Sequence, residues 1–142
     1  FTRVLWLGEG LHGHHTDGHV DNLARFVAPG LLLLPRASGA DDPNDAIYAD
    51  AMARAEAFGI DILTIPSPGR VMVAGEAVPA SYMNFLIGNT TIAMPAYGTP
   101  WDAEAAAVLA DCFPGRRIMP LPSDAILAGG GSFHCTSQQV PQ

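Results

Sequence analysis

Two stretches far apart in the chain carry residue types that together do chemistry. Near one end, Gly129-Gly130-Gly131-Ser132-Phe133-His134-Cys135-Thr136-Ser137-Gln138-Gln139-Val140-Pro141 holds a candidate thiol nucleophile. Near the other, Thr16-Asp17-Gly18-His19-Val20-Asp21-Asn22 holds a His-x-Asp pair. A thiolate attacks carbon, while a histidine and a carboxylate can hold the electrophile and move its protons. The implied chemistry is attack by Cys135 on a carbon held between His19 and Asp21. On an extended segment side chains alternate, so His19 and Asp21 are expected on one face, and His134 is expected to face away from Cys135 and not to be the base. Read alone, Asp17-Gly18 is also a turn signal amid solvated polar residues.

Three glycines ahead of a thiol suit backbone that takes positive φ or approaches a ligand closely, which makes Gly130 and Gly131 candidate binding positions. A flexible linker is the plainer reading. A phosphate cradle would need a lysine and a spacing that are absent. His12, His14, His15 and His19 could form a zinc cluster with His134 and Cys135, but structural zinc sites use tighter paired spacing, so no metal is expected. These imidazoles also suit a pH-sensitive rim.

The elements that must position these residues repeat. Arg25 to Pro35 reads as two strands around Pro29-Gly30, and Asn84 to Pro95 as two strands around Gly88-Asn89. A helix follows each hairpin, opening at Asp42-Pro43-Asn44-Asp45 and at Thr99-Pro100-Trp101-Asp102 with an N-cap, a proline and an acid. Ile47, Ala51, Ala55 and Phe58 face the core from the first helix, with Tyr48 and Met52 beside them. Trp101, Ala105, Val108, Leu109 and Cys112 do so from the second. Short strands close each unit, at Ile60 to Ile65 and Ile118 to Leu121. The units are offset by about 57 residues, a spacing typical of stacked modules or propellers. This gives two ββαβ units, preceded by a strand at Arg3 to Leu7 and joined through Pro66 to Pro79, a connecting loop or lid with a short strand at Arg70 to Ala74.

These stretches, together with Ala80-Ser81-Tyr82-Met83-Asn84-Phe85, resemble the agmatine deiminase and bacterial peptidyl-arginine deiminase family of the guanidine-modifying superfamily, and within it agmatine deiminase most. The resemblance runs through essentially the whole chain. It implies an α/β fold, a pentein-type α/β propeller of which about two ββαβ modules plus flanking strands are present. It also implies a nucleophile at Cys135, an acid–base group at His19 and a guanidinium-binding carboxylate at Asp21. Asp17, Gly130 and Gly131 join Asp21 as expected substrate contacts. The expected reaction is hydrolysis of agmatine to N-carbamoylputrescine and ammonia without cofactor or metal. The same superfamily also holds peptidyl-arginine deiminases and amidinotransferases. A papain-like hydrolase, or an inactive fragment serving as an interaction module, are the readings outside it.

His14 stands where the family pattern has an acid. The family's second guanidinium-gripping aspartate, in an Arg-Asp segment, has no counterpart. Residues 1–142 are accordingly expected to be the C-terminal part of one pentein catalytic domain, self-associating or binding an N-terminal half.

With 142 residues, 49% hydrophobic and 15% charged, the chain has a globular composition. Its net charge is −7, from 14 acids against 7 arginines and no lysine. Such a surface repels phosphate backbones and anionic membranes and attracts small cations. No apolar run approaches a membrane span, Leu31 to Leu34 being strand-sized, and no signal peptide is evident, so a cytoplasmic protein is expected. Cys112 and Cys135 are expected to be reduced thiols, with Cys112 a small core residue.

Overall fold

Four consecutive leucines set the architecture. In strand β2 (Leu31–Arg36), Leu32, Leu33 and Leu34 are all buried. Side chains alternate along a strand, so Leu33 enters one core cluster while Leu32 and Leu34 enter another, with Tyr48, Ala51 and Ala55. A strand apolar on both faces must be covered on both. The computed structural model describes residues 2–14 and 18–140.

β1 (Arg25–Ala28) pairs antiparallel with β2. The chain then crosses through helix α1 (Asp45–Phe58) to β3 (Asp61–Pro66), parallel to β2 from Leu31 opposite Asp61 to Arg36 opposite Pro66. Past a hairpin of β4 (Val71–Val73) and β5 (Glu76–Val78), the plan recurs. β6 (Leu86–Ile87) is antiparallel to β7 (Thr91–Ala96), helix α2 (Asp102–Cys112) crosses over, and β8 (Arg117–Pro122) lies parallel to β7. The sheet orders are β1-β2-β3 and β6-β7-β8. The two expected ββαβ units are therefore present with the same strand order and directions.

The units are fused through α2. Ala105, Leu109 and Phe113 share a cluster with Leu33 and Ile65 of the first unit and Ile92 and Met94 of the second. Each large apolar side chain buried there contributes about 1.5–3 kcal/mol. The corresponding cover for α1 comes from Leu5, Leu7 and Leu11 of the N-terminal segment. That cover is partial: a hollow of about 460 Å³, lined by Leu5, Ala24, Leu32, Phe58 and Ile60 among others, is rimmed by the exposed Val4, Val20 and Phe26.

Several expectations need correction. Arg3 to Leu7 is not a strand: among the described residues it has no ladder partner, and side chains hold it, with Arg3 donating to the Phe58 carbonyl at 2.6 Å. Asp42 and Thr99 are not the N-caps, which are Asn44 and Trp101. The turns before each helix close with i→i+3 bonds, from Asp45 N to Asp42 O and Asp102 N to Thr99 O, which delays the helix. The Asp42 and Thr99 side chains instead accept from Asn44 N and Trp101 N. Cys112 is half-buried at the edge of its cluster.

The Pro66 to Pro79 connection contains two strands where one was expected. Ala74 and Gly75, at φ 52° and 88°, supply the positive-φ pair that a tight hairpin needs. Val71 and Val78 pack with Ala80 and Leu127, the latter from a short helix α3 (Asp124–Leu127) that the sequence did not suggest. None of this hairpin lines the hollow that holds Cys135, so it connects the units without forming a lid there. Among the described residues no helix is long and apolar enough to cross a membrane.

Candidate functional site

Asn84 lies in the fully buried run Ser81 to Phe85, at 1% exposure. A buried amide costs free energy unless its donors and acceptor are bonded. Its Oδ1 accepts backbone N–H groups from Ser132 at 2.9 Å, His134 at 3.1 Å and Cys135 at 3.2 Å. Its Nδ2 faces Asp21 Oδ2, Asn22 Oδ1 and Cys135 Sγ, each at 3.0 Å. One side chain thus gathers the cysteine turn and ties it to the His-x-Asp segment. Reading the sequence for function missed Asn84 as a site residue. The available signal was a polar residue between Met83 and the apolar run Phe85 to Ile87, which requires partners.

Glycines allow the rest of the turn to close. Gly130 takes φ 89°, and a Cβ on Gly131 would lie 2.7 Å from both Cβ and Sγ of Cys135. The close approach expected of these glycines is therefore to Cys135, and both are buried. Beneath them the Ser123 and Ser132 hydroxyls bond at 2.5 Å.

Val20–Asn22 forms a 3-10 turn with His19 as its N-cap, so the extended His-x-Asp geometry is corrected. The turn forms because the Leu23 and Ala24 N–H groups return to the Val20 carbonyl at 2.9 and 2.7 Å, while the buried Asn22 is anchored by Ser81 Oγ, which donates to its carbonyl at 2.6 Å. Asp21 and His19 nonetheless line one open hollow of about 490 Å³ with Val20, His134 and Cys135. The imidazole on Asp21 is not His19. His134 Nδ1 lies 2.6 Å from Asp21 Oδ2, because residues 133 to 136 form a turn and the alternation that would turn His134 away does not apply. His19 is exposed, its ring 5.7 Å from that of His14, and His14 Nε2 is 2.9 Å from Asn22 Nδ2. Asp17, with His15 and Thr16, lies outside the described residues.

Asp21 is closely bonded on one oxygen. Besides His134 and Asn84, the Cys135 thiol donates to Oδ2 at 3.2 Å, while the buried Oδ1 has no partner among the described residues. Burial alone would raise its carboxyl, but the bonds from His134, Cys135 and Asn84 outweigh that and hold it below the ordinary value, so it is a carboxylate at neutral pH. Cys135 moves the other way. Burial of the sulfur pushes the thiol up, the Asn84 amide pulls it back, and the Asp21 carboxylate adds to the rise. A cation placed beside Asp21 would offset that charge and favour the thiolate. Among the described residues, no group of three His, Cys, Asp or Glu side chains is placed to hold a metal ion.

Both cysteines are free, and burial pushes the Cys112 thiol up as well. Cys135 is exposed and Cys112 half-buried, so iodoacetamide should label Cys135 first, slowly at neutral pH and faster through the alkaline range as thiolate forms. Peptide mapping with Cys112 modified first in the folded chain would refute this.

The pattern of Porphyromonas-type peptidyl-arginine deiminases matches residues 1–141. The chain belongs to that family. Curated relatives include the agmatine deiminase of Pseudomonas putida, 38% identical over 97% of this chain and 44% of its own, and that of Ectopseudomonas mendocina, 37% identical with the same shares. Among solved structures, an agmatine deiminase of C. jejuni aligns at a TM-score of 0.88 with 25% identity, over 96% of this chain and 41% of that one. The Enterococcus faecalis agmatine deiminase aligns at 0.86 with 30% identity, over 98% and 44%. The chain therefore spans less than half the length of these members of the family and its solved relatives.

Proposed function

We propose that this chain carries the cysteine half of a guanidine-hydrolysing site, acting on agmatine to give N-carbamoylputrescine and ammonia. The observation that carries this is the meeting of the Cys135 thiol with the Asp21 carboxylate, Asn84 between them, in an open hollow that His19 also lines. Membership of a deiminase family supplies the substrate class.

A guanidinium is charged at any physiological pH and is a poor electrophile, so it needs carboxylates to hold it and a soft nucleophile. Asp21 would pair with its nitrogens in place of His134. The Cys135 thiolate attacks the guanidinium carbon, and a C–N bond breaks as His19 gives a proton to the departing ammonia. His19 then takes a proton from water, whose oxygen attacks the thiouronium carbon. The C–S bond breaks, leaving the carbamoyl product and the thiolate. Gly131 contributes by seating Cys135, and the Gly130 and Gly131 backbone together with Asp17 would border the substrate. No cofactor or metal takes part.

The two ββαβ units would be modules of a pentein-type propeller, with residues 1–142 as the C-terminal part of one catalytic domain. The half-length match and the exposed hollow beside α1, where the first unit lacks the cover that β3 gives α2, support that arrangement. The acidic surface favours a cationic substrate over nucleic acid or an anionic membrane, and two free thiols suit the cytoplasm. Peptidyl-arginine is the second reading, favoured by the family description. An amidinotransferase would keep the thiol and pass the amidino group to an amine.

The test is kinetic, in a form of the enzyme with all its modules. His19→Ala should lower kcat by roughly 10² or more as a lost acid–base group. Asp21→Ala should lower kcat and also raise KM. Either variant within twofold of the parent would reduce the His-x-Asp pair to a turn. Ammonia release from agmatine, arginine and peptidyl-arginine distinguishes the substrates.

A further inference from the structure

Arg25 opens β1, four residues after Asp21, yet its side chain leaves that sheet to reach the Ser81 to Phe85 run. One guanidinium nitrogen, Nη1, donates to the carbonyls of Met83 at 3.1 Å and Phe85 at 3.0 Å. These are the carbonyls on either side of Asn84. Asn84's own carbonyl accepts the His134 N–H at 3.1 Å. The guanidinium also lies 4.5 Å from the centre of the Phe85 ring, a stacked geometry that a planar cation can adopt. We propose that Arg25 is a positioning residue for the cysteine centre: by bonding the carbonyls on both sides of Asn84, it fixes the amide that gathers the Cys135 turn.

The inference rests on the reading of Cys135 as nucleophile. Asn84 Oδ1 must meet three N–H groups at once, and a shift of its backbone would break all three. Holding both flanking carbonyls removes the rotation that would allow such a shift. The same cation is attracted by the charges of Asp21 and Cys135, so it favours the thiolate as well as the geometry. Among the described residues the titratable groups around Cys135 are Asp21 on the 3-10 turn, its N-cap His19, His134 on its own turn, Arg25 on β1 and His14 beside His19.

Hydrogen exchange and alkylation of the 142-residue chain separate the two effects. In Arg25→Met, exchange of the Gly131 to Thr136 peptide should rise about tenfold while that of α1, which Arg25 does not touch, stays unchanged. Alkylation of Cys135 should slow at fixed pH, its pH profile moving to higher pH, with Cys112 as internal reference. Arg25→Lys keeps the charge but is shorter and loses the planar contact with the Phe85 ring, so it no longer spans both carbonyls; its alkylation profile should stay near the parent while exchange of the cysteine turn still rises. Parent-like exchange at Gly131 to Thr136 in Arg25→Met overturns the proposal. If that variant loosens α1 too, Arg25→Lys decides, and parent-like exchange there overturns it equally. Turnover that survived Cys135→Ala in the complete enzyme would refute the nucleophile assignment while leaving the exchange result standing.

Discussion

Asn84→Ala should detach the cysteine turn and lower stability by about 3 kcal/mol or more. It strands the N–H groups of Ser132 and Cys135 together with the Asn22 amide oxygen, while the His134 N–H keeps the backbone carbonyl at this position, and an unsatisfied buried polar group costs about 1–3 kcal/mol. Asn84→Asp separates packing from polarity, since it keeps an oxygen for the three N–H groups and nearly the same shape. It places a second carboxylate where an amide now donates to Asp21 Oδ2 at 3.0 Å. Two carboxylates so close cannot both ionise easily, and one pKa of the pair must rise. In the complete enzyme both variants should lose at least about 10² in turnover, since displacing a reacting group by about an ångström has that effect. Denaturant midpoints and ammonia release are the measurements. An Asn84→Ala chain with parent-like stability and Cys135 labelling would show that the turn is held by something else.

The 142-residue chain alone should hydrolyse agmatine at least about 10³ more slowly than an ordinary enzyme of this chemistry. Among the described residues its site offers one carboxylate, Asp21, already engaged with His134, so one side of a guanidinium would be left unpaired in the transition state. The same chain should self-associate. Trp6 is 78% exposed, and Val4, Val20 and Phe26 rim an apolar hollow, so association that covers them is favoured. Light scattering and ammonia release, with and without a segment supplying the preceding modules, test both parts. A stable monomer with ordinary turnover would place the limits of the site elsewhere.

Much of the fold was legible because its causes are local. Leu31 to Leu34 had to be a buried strand, Pro29-Gly30 a turn, and the 3.6-residue spacing of Ile47, Ala51, Ala55 and Phe58 a helix, although its most buried face runs through Tyr48, Ala51 and Ala55 while Ile47 and Phe58 are half-buried. The failures share one origin. Arg3 to Leu7 has a strand's composition, but a strand exists only when another backbone lies beside it. The first helical turns at Asp42 and Thr99 shifted because the competition between i→i+3 and i→i+4 bonds is settled by neighbours, such as the buried Ser38 and Ser67 that also bond Asp42.

The site divides along the same line. Residue types alone determined that a thiol, an imidazole and a carboxylate were available, and that Gly131 would leave room, because these are properties of side chains. Which imidazole bonds the carboxylate was decided only in three dimensions: His134 reaches Asp21 across 113 residues because the chain turns at Cys135. Asn84 stood out only as a polar residue in an apolar run and Arg25 not at all, and the partners of both were invisible for the same reason. Their roles consist of hydrogen bonds to groups about 50 to 60 positions away, and no local pattern encodes a partner that only folding brings within 3 Å.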